Sequence, residues 1–524
     1  MLITTCGAGF IGTKGRIVSV QLHRMRGARF HVSGLSWTAA RHALARIYAA
    51  LETIHLPRPS GAMTLHIGPT NHSIVEGSLD LPIALAMLAS SGEISSDKLT
   101  SLFSWGELTL EGKIQPGSPQ SMPLHDGMEW FIPGSSARIQ QCFIPLDSTP
   151  DVPQEIPVYY PGDLYQACDA LQGKGSLPRV NLQPKHLPSR QAKSPLLYDS
   201  IEGELLSKQG IVISAAGRHH MLLIGAPGSG KSMMARALVE LLPAATDTEF
   251  KQFKQLHARR GEPYSDKGLR PFRQPHNQAT AHALIGSWNA SGAVPGELAL
   301  ASGGVLCLDE FPEFSRNAIE ALRSPLERGR VEIARADGSQ TFNANGITVA
   351  TANPCPCGHL TNRTRTCRCT RGEVRRYLRR ISGPVMERFA LHLETPSGQV
   401  CESDASHSGG RWWSMEGESA QKAIRNVWEE RQKDPVFHWP EQVEELFKKS
   451  MAKWAFSHRA SQSIRSVAET CALLDGAMTE NTRRFWEISE ADLILALQFR
   501  IFDRPSWLEH SFQNHWPEHH STLH

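Results

Sequence analysis

The sequence predicts an α/β protein in three parts: a mixed α/β segment, a parallel-sheet core and a helical C-terminal region. Three observations carry this. "HMLLIG" reads as a buried strand, "APGSGKS" as a glycine loop and "MMARALVELLP" as a helix stopped by Pro243. Two further apolar runs, "GGVLCLDEF" and "GITVATANP", bracket the helix-like "NAIEALRSPLERG", and strands alternating with helices argue for a parallel sheet. Beyond about residue 397 the periodic stretches are all helical, among them "EQVEELFKKSMAKWAF" and "SEADLILALQFRIF".

The chain has 524 residues, enough for two or three domains, with 40% apolar and 20% charged residues, as in ordinary globular proteins. Up to residue 172, short β-like runs such as "RIVSVQLH" alternate with "WTAARHALARIYAALE". From 173 to 195 the chain is rich in Pro, Ser and basic residues and reads as a linker. The core follows over 196–397 and the helical part over 398–524, opening on the polar "CESDASHSGGRWW". A net charge of +3 names no partner. The most apolar run, "LDLPIALAMLA" from Leu79, is too short to cross a bilayer, and the N-terminus is not that of a signal peptide. Six cysteines are scattered singly, as expected of reduced thiols in a cytoplasmic protein.

The segment Gly225, Ala226, Pro227, Gly228, Ser229, Gly230, Lys231, Ser232 fits G-x-x-x-x-G-K-[ST] between a strand and a helix. Glycines let successive N–H groups turn around phosphate, and the helix N-terminus adds positive charge. Lys231 is placed to reach the β- and γ-phosphates of ATP, and Ser232 to ligate Mg²⁺. "GGVLCLDEF" ends in Asp309 and Glu310, where a parallel sheet delivers its ligands. Asp309 is expected on Mg²⁺, and Glu310 as the base that orients and deprotonates the attacking water.

The core sequence, notably "LRPFRQPH", "GELALASGGVLCLDEFPEF", "ATANPCPCG" and "SGPVMERF", resembles the magnesium-chelatase-like AAA+ proteins. Within them it looks like the YifB/ComM group, DNA helicases linked to natural transformation. The resemblance implies an AAA+ P-loop ATPase core with a C-terminal helical lid. It makes Asn353 the sensor-1 residue, Arg388 an arginine finger acting on a neighbour's ATP, and Arg459 the sensor-2 residue, with Arg465 a competitor. A finger acting in trans implies a ring, and the family expectation is a hexamer. Two insertions are implied as well: one in "ALIGSWNASGAVPGELAL", the other the hairpin "RVEIARADGSQTFNANG", where Arg335 takes the place of a DNA-backbone contact. Trp288 either stacks on a base or packs under its loop.

The N-terminal "EGSLDLPIALAMLAS" and "GELTLEGKIQP" resemble the Lon-protease-like domain of the ribosomal S5 domain 2 type. Active members use a Ser–Lys dyad. Here Leu79 falls at the nucleophile position, Ser78 is expected to cap the helix near Leu81–Pro82, and no lysine lies between Lys113 and Lys174. No peptidase activity is expected. The domain's Arg24, Arg26, Arg29, Arg41 and Arg46 are compatible with ring formation or DNA guidance.

Cys355, Cys357, Cys367 and Cys369 place four thiols on one loop, suited to structural Zn²⁺ or left as redox-sensitive thiols, with His359 a spare ligand. Some relatives have Ser or Thr there, so ATP chemistry itself is not expected to use the metal. Eight arginines against one acid, Glu373, lie between Thr361 and Arg380, a density suited to phosphate contacts or to the subunit boundary. The resulting expectation is an ATP-driven, ring-forming motor on branched or recombining DNA. The alternatives are a magnesium chelatase motor subunit, an ATP-dependent protease and a nucleotide-switched scaffold.

Overall fold

The computed structural model describes the chain from Met1 to Asp503, apart from residues 12–13, 28, 69–78, 117–129, 135–136, 147–151, 154, 181–195, 202–204, 263, 265–267, 290–291, 336–337, 362–364, 396–415 and 479–484.

The N-terminal part is built on an eight-stranded mixed sheet. Its centre is a long antiparallel pair, Leu2–Ile11 with Lys14–Met25. Ala62–Gly68 and then Phe30–Ser33 extend it on one side, and Leu102–Ser104, Gln141–Phe143, Val158–Tyr159 and Arg179–Val180 on the other. The ladder therefore runs past residue 172, where the sequence predicts a linker to begin. Helix Asp80–Ser90 is buried along its whole length. This fits its almost continuous apolar composition, since a helix apolar all round has no face for water. Its one acid, Asp80, forms a bidentate pair with Arg46 at 2.6 and 3.0 Å and accepts the Leu108 N–H at 3.2 Å.

The middle of the chain forms a five-stranded, wholly parallel sheet. In chain order its strands are β1 (Met221–Gly225), β2 (Phe272–Arg273), β3 (Val305–Leu308), β4 (Ile347–Ala352) and β5 (Leu391–Thr395). Their spatial order is β2-β3-β4-β1-β5, so the chain reverses direction across the sheet beside β1 and β4. Such a switch leaves a crevice at the carboxyl ends of the strands, where ligands bind in open parallel sheets. Strands β1, β3 and β4 are buried throughout; β1 and β3 are apolar along their length, and β4 is apolar apart from Thr348 and Thr351.

Both predicted insertions are present. Helices Ala281–Ile285 and Glu297–Leu300 are separated by a hairpin of Gly286–Asn289 with Gly292–Pro295. A second hairpin pairs Arg330–Arg335 with Gly338–Asn343. "NAIEALRSPLERG" forms two short helices, Arg316–Ala321 and Arg323–Arg328, rather than one.

The C-terminal helices Gly417–Gln432, Glu441–Trp454, His458–Met478 and Glu490–Gln498 share a hydrophobic core with helices Leu205–Gly217 and Lys231–Leu241. Polar bonds fix the same packing: Trp428 Nε1 donates to Ala215 O at 3.0 Å and Gln421 to Glu240 O at 2.6 Å.

Candidate active site

The loop after β1 takes the shape its glycines allow. Gly228 and Gly230 both have φ near +80°, which L side chains rarely adopt. Helix Lys231–Leu241 starts there, directed away from the loop. Lys231 is buried, and its Nζ donates to Gly225 O and Ala226 O at 2.8 Å each. Burial lowers its pKa, against the pull of Asp309 and Glu310. Its ammonium is thus held inside the loop that an incoming phosphate would enter. Ser229 Oγ is bonded to Thr395 Oγ1 at 2.7 Å, tying the loop to the end of β5.

Asp309 stands just past the end of β3. One carboxylate oxygen accepts Ser232 Oγ at 3.0 Å and Gln274 Nε2 at 3.3 Å; the other accepts Thr351 Oγ1 at 2.5 Å. The Ser232 hydroxyl and Asp309 carboxylate, already in contact, are a hard-oxygen pair of the kind Mg²⁺ takes. Glu310 has φ 53° and ψ 45°, a left-handed conformation uncommon outside glycine and a form of strain that gathers at functional sites. Its N–H donates to Thr351 Oγ1 at 3.1 Å, and its carboxylate accepts Asn277 Nδ2 at 2.8 Å.

Thr351, Gln274 and Asn277 escaped the sequence reading. Thr351 is one of two threonines, with Thr348, in a buried strand of otherwise apolar residues, and its place at the carboxyl end of that strand was the available signal. Gln274 and Asn277 lie within the distinctive "RPFRQPHNQAT". The structure explains that motif. Its arginines turn inward, Arg270 onto Glu249 at 2.9 Å and Arg273 onto Glu297 at 2.7 Å and Glu262 at 2.7 Å. Its amides face the two acids.

Asn353 follows β4 directly, two residues after Thr351, and its backbone N–H is bonded to the Tyr377 hydroxyl. The cysteine loop begins beside it. The sulfurs of Cys355, Cys357, Cys367 and Cys369 all lie within 4.8 Å of one another, with no disulfide among them, and His359 is not part of the group.

Arg388 does not extend from the surface. Its guanidinium is nearly buried and donates to Arg323 O, Pro384 O and, at 2.6 Å, Glu327. Arg459 meets the other oxygen of the same carboxylate at 2.5 Å and lies 3.6 Å from Glu387. Arg388, Arg459 and Glu327 line a cavity of about 470 Å³ together with Glu320, Arg323 and Arg328. Arg465 instead pairs with Glu444 at 2.6 Å and lies over the Trp439 and Phe447 rings. That is packing among the C-terminal helices, so Arg459 is the one brought to Arg388.

The two hairpins touch. Arg335, exposed beside the second hairpin's tip, donates to Trp288 O at 3.2 Å, and the Trp288 ring lies against Gly338. The half-buried indole thus packs against the tip of the other hairpin rather than under its own loop. Helix Arg371–Leu378 buries Val374, Tyr377 and Leu378 and leaves Arg371, Arg375 and Arg376 exposed. Arg365, Arg368, Arg379 and Arg380 are exposed as well, Arg380 paired with Glu313 at 3.1 Å, while Arg363 lies outside the described residues.

In the N-terminal part, Ser78 lies outside the described residues. The helix begins at Asp80 with the buried Leu79 in the cap position and no side-chain cap bond from it. Lys113 is exposed and paired with Glu111 at 3.0 Å. Two of the basic residues are committed inward, Arg46 to Asp80 and Arg24 to Ser60 and Ser90.

Comparison with known proteins matches these parts in order. A family model described as magnesium chelatase, subunit ChlI, covers residues 198–402, and one described as subunit ChlI of Mg-chelatase covers 18–122. Competence protein ComM of Haemophilus influenzae is 30% identical over 394 residues, 74% of this chain and 75% of that protein. YifB of Escherichia coli is 32% identical over 393 residues, 74% of each chain. A shorter stretch of 227 residues is 26% identical to a DNA replication licensing factor of Schizosaccharomyces pombe, 41% of this chain and 22% of that one. The phosphate loop, the paired acids and the segment through Arg388 all fall within the matched core, and the chain belongs to the YifB/ComM family of magnesium-chelatase-like AAA+ ATPases.

Proposed function

We propose that this protein is an ATP-driven DNA motor that works as a ring, a hexamer by family expectation, on branched or recombining DNA. The observation that carries the reading is the pair of bonded hairpins inserted before and after β3, the strand that leads into Asp309, with Arg335 beside the tip of the second. A hairpin on β3–β4 moves with the strands that hold Asp309 and Thr351, which is how hydrolysis would be felt by a bound strand. The exposed arginines on and around helix Arg371–Leu378 supply charge for phosphate contacts, which bind any sequence and weaken steeply with salt. The name of the ComM relative and the similarity to a replication licensing factor support the same reading.

Each residue has a task. The loop from Gly225 to Ser232 cradles the triphosphate, and Lys231 turns from its carbonyls to the β- and γ-phosphates. Ser232 and Asp309 hold Mg²⁺, which supplies charge neutralisation on those oxygens. Glu310 leaves Asn277, orients the water and takes its proton as the γ-phosphorus bond to the bridging oxygen breaks, giving ADP and phosphate. Asn353 reads the γ-phosphate. Arg388 and Arg459, now shared by Glu327, act together on a neighbour's ATP. The four cysteines hold Zn²⁺. The N-terminal part is read as a Lon-like domain without the dyad, and the C-terminal helices as the lid.

The chelatase description of both family models favours a second reading, a motor for metal insertion. ATPase rate with and without forked DNA separates the two. Stimulation by DNA, lost in Arg335→Ala, supports the DNA motor; a rate indifferent to DNA at low salt overturns it.

A further inference from the structure

The cysteine loop does not stand apart from the ATP site. Gly358, directly after the ligand candidate Cys357, has φ +79°. A Cβ on it would lie 2.6 and 2.7 Å from Cδ and Cγ of Pro227 in the phosphate loop, and 4.0 Å from Cγ of Asn353. The glycine is needed twice, for its backbone and for this approach. The loop's other end leads into Thr370, whose capping box with Glu373 starts helix Arg371–Leu378. That helix carries Tyr377, bonded to the Asn353 N–H. Both flanks of the cysteine cluster therefore converge on Asn353, and one of them rests on the phosphate loop.

We propose that Cys355, Cys357, Cys367 and Cys369 form a Zn²⁺ site that fixes this wall of the nucleotide pocket, so that metal occupancy sets the affinity for ATP. The inference rests on the ATP-binding reading above. Sulfur separations of 3.4, 3.6 and 3.7 Å among Cys355, Cys357 and Cys367, with Cys369 within 4.8 Å of each, fit a tetrahedral tetrathiolate, in which a Zn–S length of about 2.3 Å puts sulfurs about 3.8 Å apart. Each sulfur also accepts a backbone N–H: Cys355 from Leu360, Cys357 from His359 and Arg368, Cys367 from Cys369, and Cys369 from Cys357. Four soft ligands with no carboxylate or imidazole among them select zinc over Mg²⁺.

The loop has little else to order it. From Asn353 to Thr370 the described residues form no helix or strand. Without the metal, these residues regain conformational freedom and Gly358 leaves Pro227, so the pocket must be ordered again at each binding event. The effect is positional, and the metal takes no part in phosphate transfer.

The test uses the full chain purified under reducing conditions. Zinc is measured by elemental analysis, and affinity by titration with a fluorescent non-hydrolysable ATP analogue in excess Mg²⁺. One zinc per chain is expected in the native protein, with loss in the double variant Cys367→Ser/Cys369→Ser. Stripping zinc, with Mg²⁺ restored, should weaken analogue binding about tenfold, and zinc should recover it. Gly358→Ala should keep its zinc and still bind the analogue at least about fivefold more weakly, which covers the case of a stripped protein that unfolds. Zinc-free protein with unchanged affinity, or Gly358→Ala with native affinity, overturns the inference. Zinc-loaded native protein that binds no analogue overturns the ATP reading instead, and this inference with it.

Discussion

Thr351→Val is the sharpest probe of how the site is built. Val has nearly the shape of Thr, so no cavity opens, and only the hydroxyl is lost. That hydroxyl is fully buried, donates to Asp309 and accepts the Glu310 N–H. A bond to a carboxylate contributes about 1.5–3 kcal/mol and one from an amide about 1 kcal/mol. The extra buried methyl returns roughly 1 kcal/mol. The net loss is about 2 kcal/mol, a fall in Tm of about 4–8 °C for a unit of roughly 200 residues. The kinetic effect should be larger than this suggests, because Asp309 and the left-handed Glu310 lose the anchor that they share. Misplacement of reacting groups on the ångström scale costs up to about a hundredfold, so kcat should fall about 10- to 100-fold with nucleotide affinity little changed. Thr351→Ser keeps the hydroxyl and should retain most of both. Thermal melts and steady-state ATPase rates decide. A Val variant with native Tm and kcat, or a Ser variant as damaged as Val, would refute the reasoning.

Lys231→Ala should abolish ATP binding, whereas Glu310→Gln should bind ATP and fail to turn it over; normal ATPase activity in both would remove the assignment. Arg388→Ala mixed with native protein should depress ATPase activity below the sum of the two parts, since each defective subunit also silences its neighbour; strictly additive rates would place the finger elsewhere. The buried histidines make the core sensitive to acid. Burial, with nearby Arg431 and His220, pushes His219 down to about 3, and burial lowers His220 and His392. His220 Nδ1 accepts the Thr348 N–H at 3.0 Å, which requires the neutral ring. With folded values below the unfolded value of about 6.5, the unfolded chain binds more protons in acid. Stability is full above that pH and should fall below it by about 1.4 kcal/mol per pH unit for each such group until its folded pKa is passed. Urea midpoints at pH 7.5, 6 and 5 check this, and a flat profile would contradict it.

The sequence made the phosphate loop and the paired acids plain because each is a run of adjacent residues whose meaning is local. The hairpin of "RVEIARADGSQTFNANG" was legible for the same reason, since it announces itself by its own alternation and turn, whereas the insertion in "ALIGSWNASGAVPGELAL" came from the family resemblance alone. The groups that hold the acids were not legible, because Gln274, Asn277 and Thr351 come from other strands and meet Asp309 and Glu310 only in the folded sheet. Gly358 is a stronger case. Its purpose lies in Pro227, far back in the chain, and a glycine beside cysteines reads as part of a metal turn. Arg388 looked like a projecting finger, yet the fold tucks it under three acceptors, which no one-dimensional pattern shows. The helix starts at Asp80, held by Arg46 from another helix, with Leu79 in the cap position, a pairing that only the folded chain brings together.

The central claim is that ATP hydrolysis at this site drives movement on DNA. Its most direct measurement is strand displacement on a forked duplex carrying a fluorophore and quencher, at low salt with Mg²⁺ and ATP. The account predicts displacement by the native protein and none by Glu310→Gln, which still binds ATP. Native protein that hydrolyses ATP but separates no strands on forked or four-way substrates would contradict it.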